Sequence, residues 1–167
     1  MALAYLGFGT NLGDREANLG AGLAALATLG EIEAVSSIYQ SEPVGFRDQP
    51  DFLNLAVRFR TDLGPEELLT ELEAIESRLG RRRSFRNAPR VLDIDILLYD
   101  DLEYSTTRLV IPHPRLLERA FVLRPLVELE PDLRLPGSGI VLSDHLLEAE
   151  GLERAEPIGP GDQLLSR

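Results

Sequence analysis

The chain has 167 residues, no cysteine, two histidines and a formal net charge of −11. That length suits one domain able to bury a core unaided, and the missing cysteines exclude disulfides, thiolate metal sites and a thiol nucleophile. The acidic balance excludes a general nucleic-acid surface, which needs a basic face to displace counterions, and because all 17 basic residues are arginine a lysine-bearing Walker loop is excluded too.

The N-terminal MALAYLGFG has no basic region ahead of its apolar residues, and no uninterrupted apolar run approaches membrane-spanning length. The expectation is a single cytoplasmic domain over residues 1–167, monomeric, with neither membrane nor nucleic acid as partner. Residues 2–8 read as a first strand, and TNLGD turns into a helix over 15–29 with Leu19, Leu23 and Leu26 at helical spacing. The glycines of GFGTNLG follow a strand but are spaced GxGxxxG, not GxGxxG, so they are read as turn geometry and not as a dinucleotide loop.

Residues 31–40 read as a second strand, and SEPVGFRDQPD (41–51) as a substantial loop. FLNLAVRFRT then alternates, with Phe52, Asn54, Ala56, Arg58 and Arg60 on one face and Leu53, Leu55, Val57 and Phe59 on the other. A helix starts at Pro65 and stops at Gly80, its stripe formed by Leu68, Leu72, Ile75 and Leu79. After an arginine-rich loop comes the strand VLDIDILLY. The order β-α-β-β-α-β predicts an α+β fold, a ferredoxin-like βαββαβ core whose antiparallel sheet is flanked by helices, followed by a C-terminal extension. In that extension ERAFVLRPLVEL and residues 144–150 read as helical, and the Gly- and Pro-rich residues 151–167 as a loosely ordered tail.

The chemistry concentrates at RNAPRVLDIDILL (86–98). In a strand, residues two apart share a face and lie roughly 7 Å apart, so Asp93 and Asp95 point one way while Leu92, Ile94 and Ile96 pack inward. Two neighbouring carboxylates repel, a divalent cation relieves the repulsion, and hard oxygen ligands without His or Cys favour Mg²⁺ over zinc. Just upstream, RLGRRRSFRNAPR holds six arginines and no acid. Carboxylates that hold Mg²⁺ beside guanidinium groups are what phosphoryl transfer from a nucleotide requires. The plainer alternatives are a solvated sheet face and a solvated basic loop. His113 in IPHP, near Arg108 and Arg119, is a candidate phosphate contact, whereas His145 reads as a surface or packing residue. Phe52 and Phe121, taken alone, read as core aromatics.

RNAPRVLDIDIL resembles, throughout its twelve positions, the signature of the 6-hydroxymethyl-7,8-dihydropterin pyrophosphokinase family. GTNLGD, SEPVG, DQPDFLN, IESRLGR, RLVIPHPRL and ERAFVLRPL extend the resemblance, in order, to about residue 131. It implies a ferredoxin-like sandwich that moves pyrophosphate from ATP to the pterin hydroxymethyl group and releases AMP, with two Mg²⁺ ions held by Asp93 and Asp95. It further implies that Asn54 bonds the pterin edge, that Ser41 and Val44 offer backbone groups, and that Phe52 and Phe121 stack on the two ring faces. Glu76, Arg81, Arg83, Arg90, Arg108, His113 and Arg119 match ATP-site positions, with Arg81 and Arg90 also counted as catalytic. Asn87, Val110 and Pro114 stand where family members often carry tryptophan, threonine and tyrosine. The competing functions are a Mg²⁺-dependent nucleotide phosphohydrolase on a similar fold and a noncatalytic ligand-binding module.

Overall fold

A computed structural model describes residues 1–43, 48–80, 91–148 and 156–166. Strand β1 (Ala2–Thr10) leads through a short turn into α1 (Arg15–Leu26), whose start is capped by Asp14, its carboxylate accepting the Ala17 N–H at 3.1 Å. The first strand thus runs two residues beyond its expected end. Gly7 and Gly9 lie inside it, and of the GFGTNLG glycines only Gly13 takes a positive φ, 76°.

The expected second strand is two: β2 (Glu31–Val35) and β3 (Ser37–Ser41). Both pair with β4 (Phe52–Thr61), and buried Ser36 joins them. Its N–H donates to the Ala56 carbonyl at 2.9 Å, while its hydroxyl oxygen accepts the Ala56 N–H at 2.8 Å. A side-chain oxygen stands in for a backbone carbonyl there, so the ladder breaks in form without losing a bond. Helix α2 (Pro65–Arg78) begins with proline, where its missing N–H costs nothing, and Glu67 folds back to accept the Gly64 N–H at 3.2 Å. Strand β5 (Asp93–Tyr99) closes the core motif.

The sheet order is β5-β1-β4-β3 with β2 also on β4, and every pairing is antiparallel, as the βαββαβ reading predicts. After β5 come the small hairpin β6 (Tyr104–Ser105) and β7 (Val110–Ile111), then α3 (Ala120–Leu129). Residues 142–148 form a 3-10 helix, more tightly wound than the helix expected at 144–150. The composition of residues 151–167 suggests a loose tail, yet β8 (Glu156–Pro160) pairs with β3 at the sheet edge, and Leu164, in the 3-10 turn that follows, is buried in the core. Pro157 and Pro160 suit an outermost strand, since neither offers an N–H to a further partner.

Two apolar clusters sandwich the sheet. One side buries Leu6, Phe8, Leu53, Leu55, Val57, Phe59, Ile94 and Ile96 against Leu19, Leu23 and Leu26 of α1 and Leu68, Leu72 and Ile75 of α2. The other joins Tyr5, Ala56, Leu97 and Leu98 to Leu116, Ala120, Leu123, Leu126 and Leu142. Among the described residues α3 is the one α-helix packed on that second face, and part of the face is open. Among the described residues no helix is long and apolar enough to cross a membrane.

Candidate active site

The open part of the second face is a cleft whose lining includes Gly7, Gly9, Ser41, Phe52, Asn54, Ala56, Asp93, Asp95, Arg119 and Phe121. Strand register explains why residues so distant in sequence meet. Gly9 pairs with Asn54 on one side and Asp93 on the other, and Asn54 pairs in turn with Tyr39. One row across the sheet therefore reads Asp93, Gly9, Asn54, Tyr39, and the next reads Asp95, Gly7, Ala56. Directly paired residues share a face, so the two carboxylates and the Asn54 amide look into the same space. With strands about 4.8 Å apart, the Asp93 and Asn54 backbones stand roughly 10 Å from one another, two strand widths.

Asn54 is 4% exposed, and its Nδ2 donates to the Ser41 Oγ at 2.7 Å. That bond orients the amide. Phe52 and Phe121, both half-buried, stand on different elements, β4 and α3, and line the cleft, Phe121 also packing against the second apolar cluster. The Arg119 guanidinium lies over the Phe121 ring, 5.5 Å from its centroid, so the cation and the aromatic wall are held together at the start of α3.

Asp93 and Asp95 occupy β5, with Leu92, Ile94 and Ile96 buried as expected; Asp95 is exposed and Asp93 half-buried. Glu76 does not line the cleft. The residue is 4% exposed, and its carboxylate reaches from α2 to accept the Ile94 N–H at 2.8 Å, which satisfies that edge N–H of β5 between the two aspartates. Arg108 likewise turns away, to α2: it bonds Glu66 at 3.0 Å, Glu73 at 2.7 Å and Thr70 at 3.2 Å.

His113 lies beside β5, its N–H donating to the Leu97 carbonyl at 3.0 Å. Burial, and then the Arg119 and Arg115 charges, lower its pKa, while Asp93 pulls the other way. The neutral imidazole is thus favoured, and its Nδ1 accepts the Arg115 N–H at 3.2 Å, which leaves the proton on Nε2 as a donor. Val44, Arg81, Arg83 and Arg90 lie outside the described residues.

Other contacts give meaning to short motifs that sequence reading left unexplained. Asn11, fully buried, donates to the Gln49 side chain at 2.7 Å and to the Pro50 carbonyl at 3.0 Å, and Arg15 donates to the Asp51 carbonyl at 2.9 Å. Gln40 adds a bond to the Asp51 carboxylate at 3.0 Å. The TNLGDR turn therefore straps residues 49–51 and sets the entry of Phe52 into β4. Gly7 and Gly9 were also missed as cleft residues, because their partners come from β4 and β5 and no local pattern names them.

The chain matches the family model described as 7,8-dihydro-6-hydroxymethylpterin-pyrophosphokinase (HPPK) over residues 5–131. It is 46% identical over 129 residues to the 2-amino-4-hydroxy-6-hydroxymethyldihydropteridine pyrophosphokinase of Bacillus subtilis (strain 168), covering 76% of this chain and 77% of that protein. With the protein of the same name from Methylorubrum extorquens it shares 44% identity over 158 residues, covering 93% and 100% respectively. Among solved structures, wild-type Plasmodium falciparum HPPK-DHPS is similar in fold, with a TM-score of 0.67 at 16% identity over 89% of this chain. This chain spans 43% of that longer one.

Proposed function

Because the chain belongs to the 7,8-dihydro-6-hydroxymethylpterin-pyrophosphokinase family, its reaction is the ATP-dependent transfer of pyrophosphate in folate biosynthesis, and we propose that the transfer takes place in the cleft on the open face of the sheet. The observation that carries this placement is the row Asp93, Gly9, Asn54. It puts a polar group suited to a heterocycle edge about two strand widths from a carboxylate suited to metal and phosphate. That span is comparable to a bicyclic pterin with its hydroxymethyl arm.

In this reading the pterin lies between Phe52 and Phe121, where a flat ring gains from two aromatic walls. The Asn54 amide, held by Ser41, selects its edge. The ring's arm then points toward Asp93 and Asp95. Its oxygen forms a bond to the β-phosphorus of ATP as the bond from that phosphorus to the α–β bridging oxygen breaks. AMP leaves with that oxygen, and the hydroxyl proton passes to water or phosphate. Arg119 and the Nε2–H of His113 stand where they can meet phosphate oxygens from the α3 side. Arg81, Arg83 and Arg90 are proposed to add guanidinium groups from the preceding loop, and Val44 a backbone contact to the pterin. Glu76 supports the site through Ile94, and Arg108 would have to exchange its α2 carboxylates for phosphate to join it.

Asp93 and Asp95 fit Mg²⁺ by donor chemistry: both are hard carboxylates, side by side on one face of β5. Among the described residues no group of three or more His, Asp or Glu is arranged to hold a metal, which suits an ion that takes its remaining ligands from phosphate and water. We propose two such ions, which when bound would neutralise the phosphate charge during transfer. The chain is further proposed to act as one monomeric domain. Incubation with ATP, Mg²⁺ and 6-hydroxymethyl-7,8-dihydropterin should yield AMP and the pyrophosphorylated pterin, with neither formed when the pterin is left out. AMP formed equally without the pterin would restore the phosphohydrolase alternative.

A further inference from the structure

Gly9 occupies the one position between the proposed pterin-edge amide and the first metal-binding carboxylate, paired with Asn54 in β4 and with Asp93 in β5. Its side-chain direction is into the cleft, since it lies on the face of β1 shared with Gly7 and Tyr5. Its φ is not in the left-handed region, so backbone conformation does not demand a glycine there. Strand propensity argues against one, because a glycine inside a strand costs entropy and packs nothing. The reason for glycine must therefore be what a side chain would meet.

A Cβ at Gly9 would stand 3.2 Å from the Asn54 Oδ1 and 3.6 Å from the Phe52 Cδ1. The first contact is tighter than a carbon ordinarily makes with a neighbour, so the amide would have to yield. Asn54 cannot yield cheaply. It is 4% exposed, and its Nδ2 is committed to the Ser41 hydroxyl at 2.7 Å, so the shift of a few tenths of an ångström that a methyl at position 9 demands strains that bond and moves the amide off its edge-recognition position. Gly7 differs in kind: a Cβ there would come within 3.2 Å of the tip of the Leu97 side chain, an apolar neighbour with no role in edge recognition.

We propose that Gly9 is a specificity-determining position for the pterin: the absence of a side chain there keeps the Asn54 amide seated on Ser41, in the orientation that receives the edge of the heterocycle. The proposal rests on the reading that Asn54 and Phe52 receive the pterin. It makes Gly9 a positioning residue acting through Asn54. ATP recognition, built on other groups, lies outside its reach.

The test is a double-mutant cycle on pterin affinity, measured by calorimetry with Mg²⁺ and a nonhydrolysable ATP analogue present, on wild type, Gly9→Ala, Asn54→Ala and the double variant. Wild type that fails to bind the pterin would overturn the functional reading itself, before any variant is considered. With wild type binding, Gly9→Ala should weaken the pterin about tenfold or more, as expected when a buried polar partner is displaced. It should leave the affinity for the ATP analogue and the melting temperature near wild type. In the Asn54→Ala background the added methyl has no amide to displace, so the double variant should bind about as weakly as Asn54→Ala alone. Losses that simply add, an equal loss for the ATP analogue, or unchanged pterin affinity in Gly9→Ala would each overturn the role assigned to Gly9. So would a Gly9→Ala chain that no longer melts cooperatively, because the proposal places the methyl in the open cleft with the fold intact.

Discussion

The two faces of the central sheet are made from the same strands by alternation, yet they end up opposite in character. Toward α1 and α2, strands β1, β4 and β5 present Leu6, Phe8, Leu53, Leu55, Val57, Ile94 and Ile96, and two helices seal them. Toward α3, the intervening positions are Gly7, Gly9, Asn54, Ala56, Asp93 and Asp95, and one helix covers only part of the area. Side-chain size and helix coverage together make one face a core along its whole length and the other a core at one end and a cleft at the other. Turnover should therefore be carried by the cleft alone, and substitutions that alternate along a single strand at the cleft end should separate it from stability.

The largest effect is expected on the open face. Asp95→Ala, and Asp93→Ala similarly, should lower turnover by about two to three orders of magnitude at saturating Mg²⁺, the scale seen when a group that stabilises transition-state charge is removed. The melting temperature should scarcely move. A variant that keeps most of its activity would remove the metal role from β5.

On the sealed face, Leu72→Ala should cost about 2–5 kcal/mol of unfolding free energy, because Leu72 is fully buried and its loss leaves a cavity between α2 and the sheet. Urea unfolding reads this directly, and at temperatures where the variant remains folded its KM values should match wild type. A shifted pterin KM with unchanged stability would show that the faces are not separable.

A smaller effect sharpens the comparison at the boundary, where Phe121 projects from α3 into the cleft. Phe121→Ala should weaken the pterin by about 1 kcal/mol, the scale of an aromatic contact beyond its area, with little change for ATP. Equal losses for both ligands, or a large fall in melting temperature, would return Phe121 to the core.

The smallest effect is a pH dependence. Burial, Arg119 and Arg115 hold the His113 pKa below its ordinary value of 6.5, against Asp93. The unfolded chain then takes up the proton first as pH falls, so the stability that comes from keeping His113 neutral is complete above the ordinary histidine value and declines below it, until the folded imidazole protonates as well. In metal-free protein, melting temperature should therefore fall on acidification through that window, and less steeply in His113→Gln. Identical slopes would contradict it.

The order of the core elements, apart from the division of the second strand into β2 and β3, the inward set of β4 and the shared face of Asp93 and Asp95 were legible in the sequence, because helical and period-2 spacing is written in neighbouring residues. Phe52 and Phe121 were misjudged by residue type, which taken alone reads them as core aromatics; both line the cleft, Phe121 at the margin of the second apolar cluster. Residues 156–160 were misjudged as well. Their Gly and Pro content matches both a loose tail and an edge strand, and only the free edge of β3 decides between them.

What the sequence determined by itself is which residues face together along each strand and helix, since that depends on backbone geometry over a few residues. What only the tertiary structure decided is which strands lie side by side and in what register: that β1 stands between β4 and β5, that Gly9 therefore separates Asn54 from Asp93, that Glu76 reaches Ile94, and that Arg108 rests on α2. The physical reason is that pairing and register are chosen by the burial of whole faces and by the closure of long loops, free energies that belong to the assembled sheet and to no single segment of the chain.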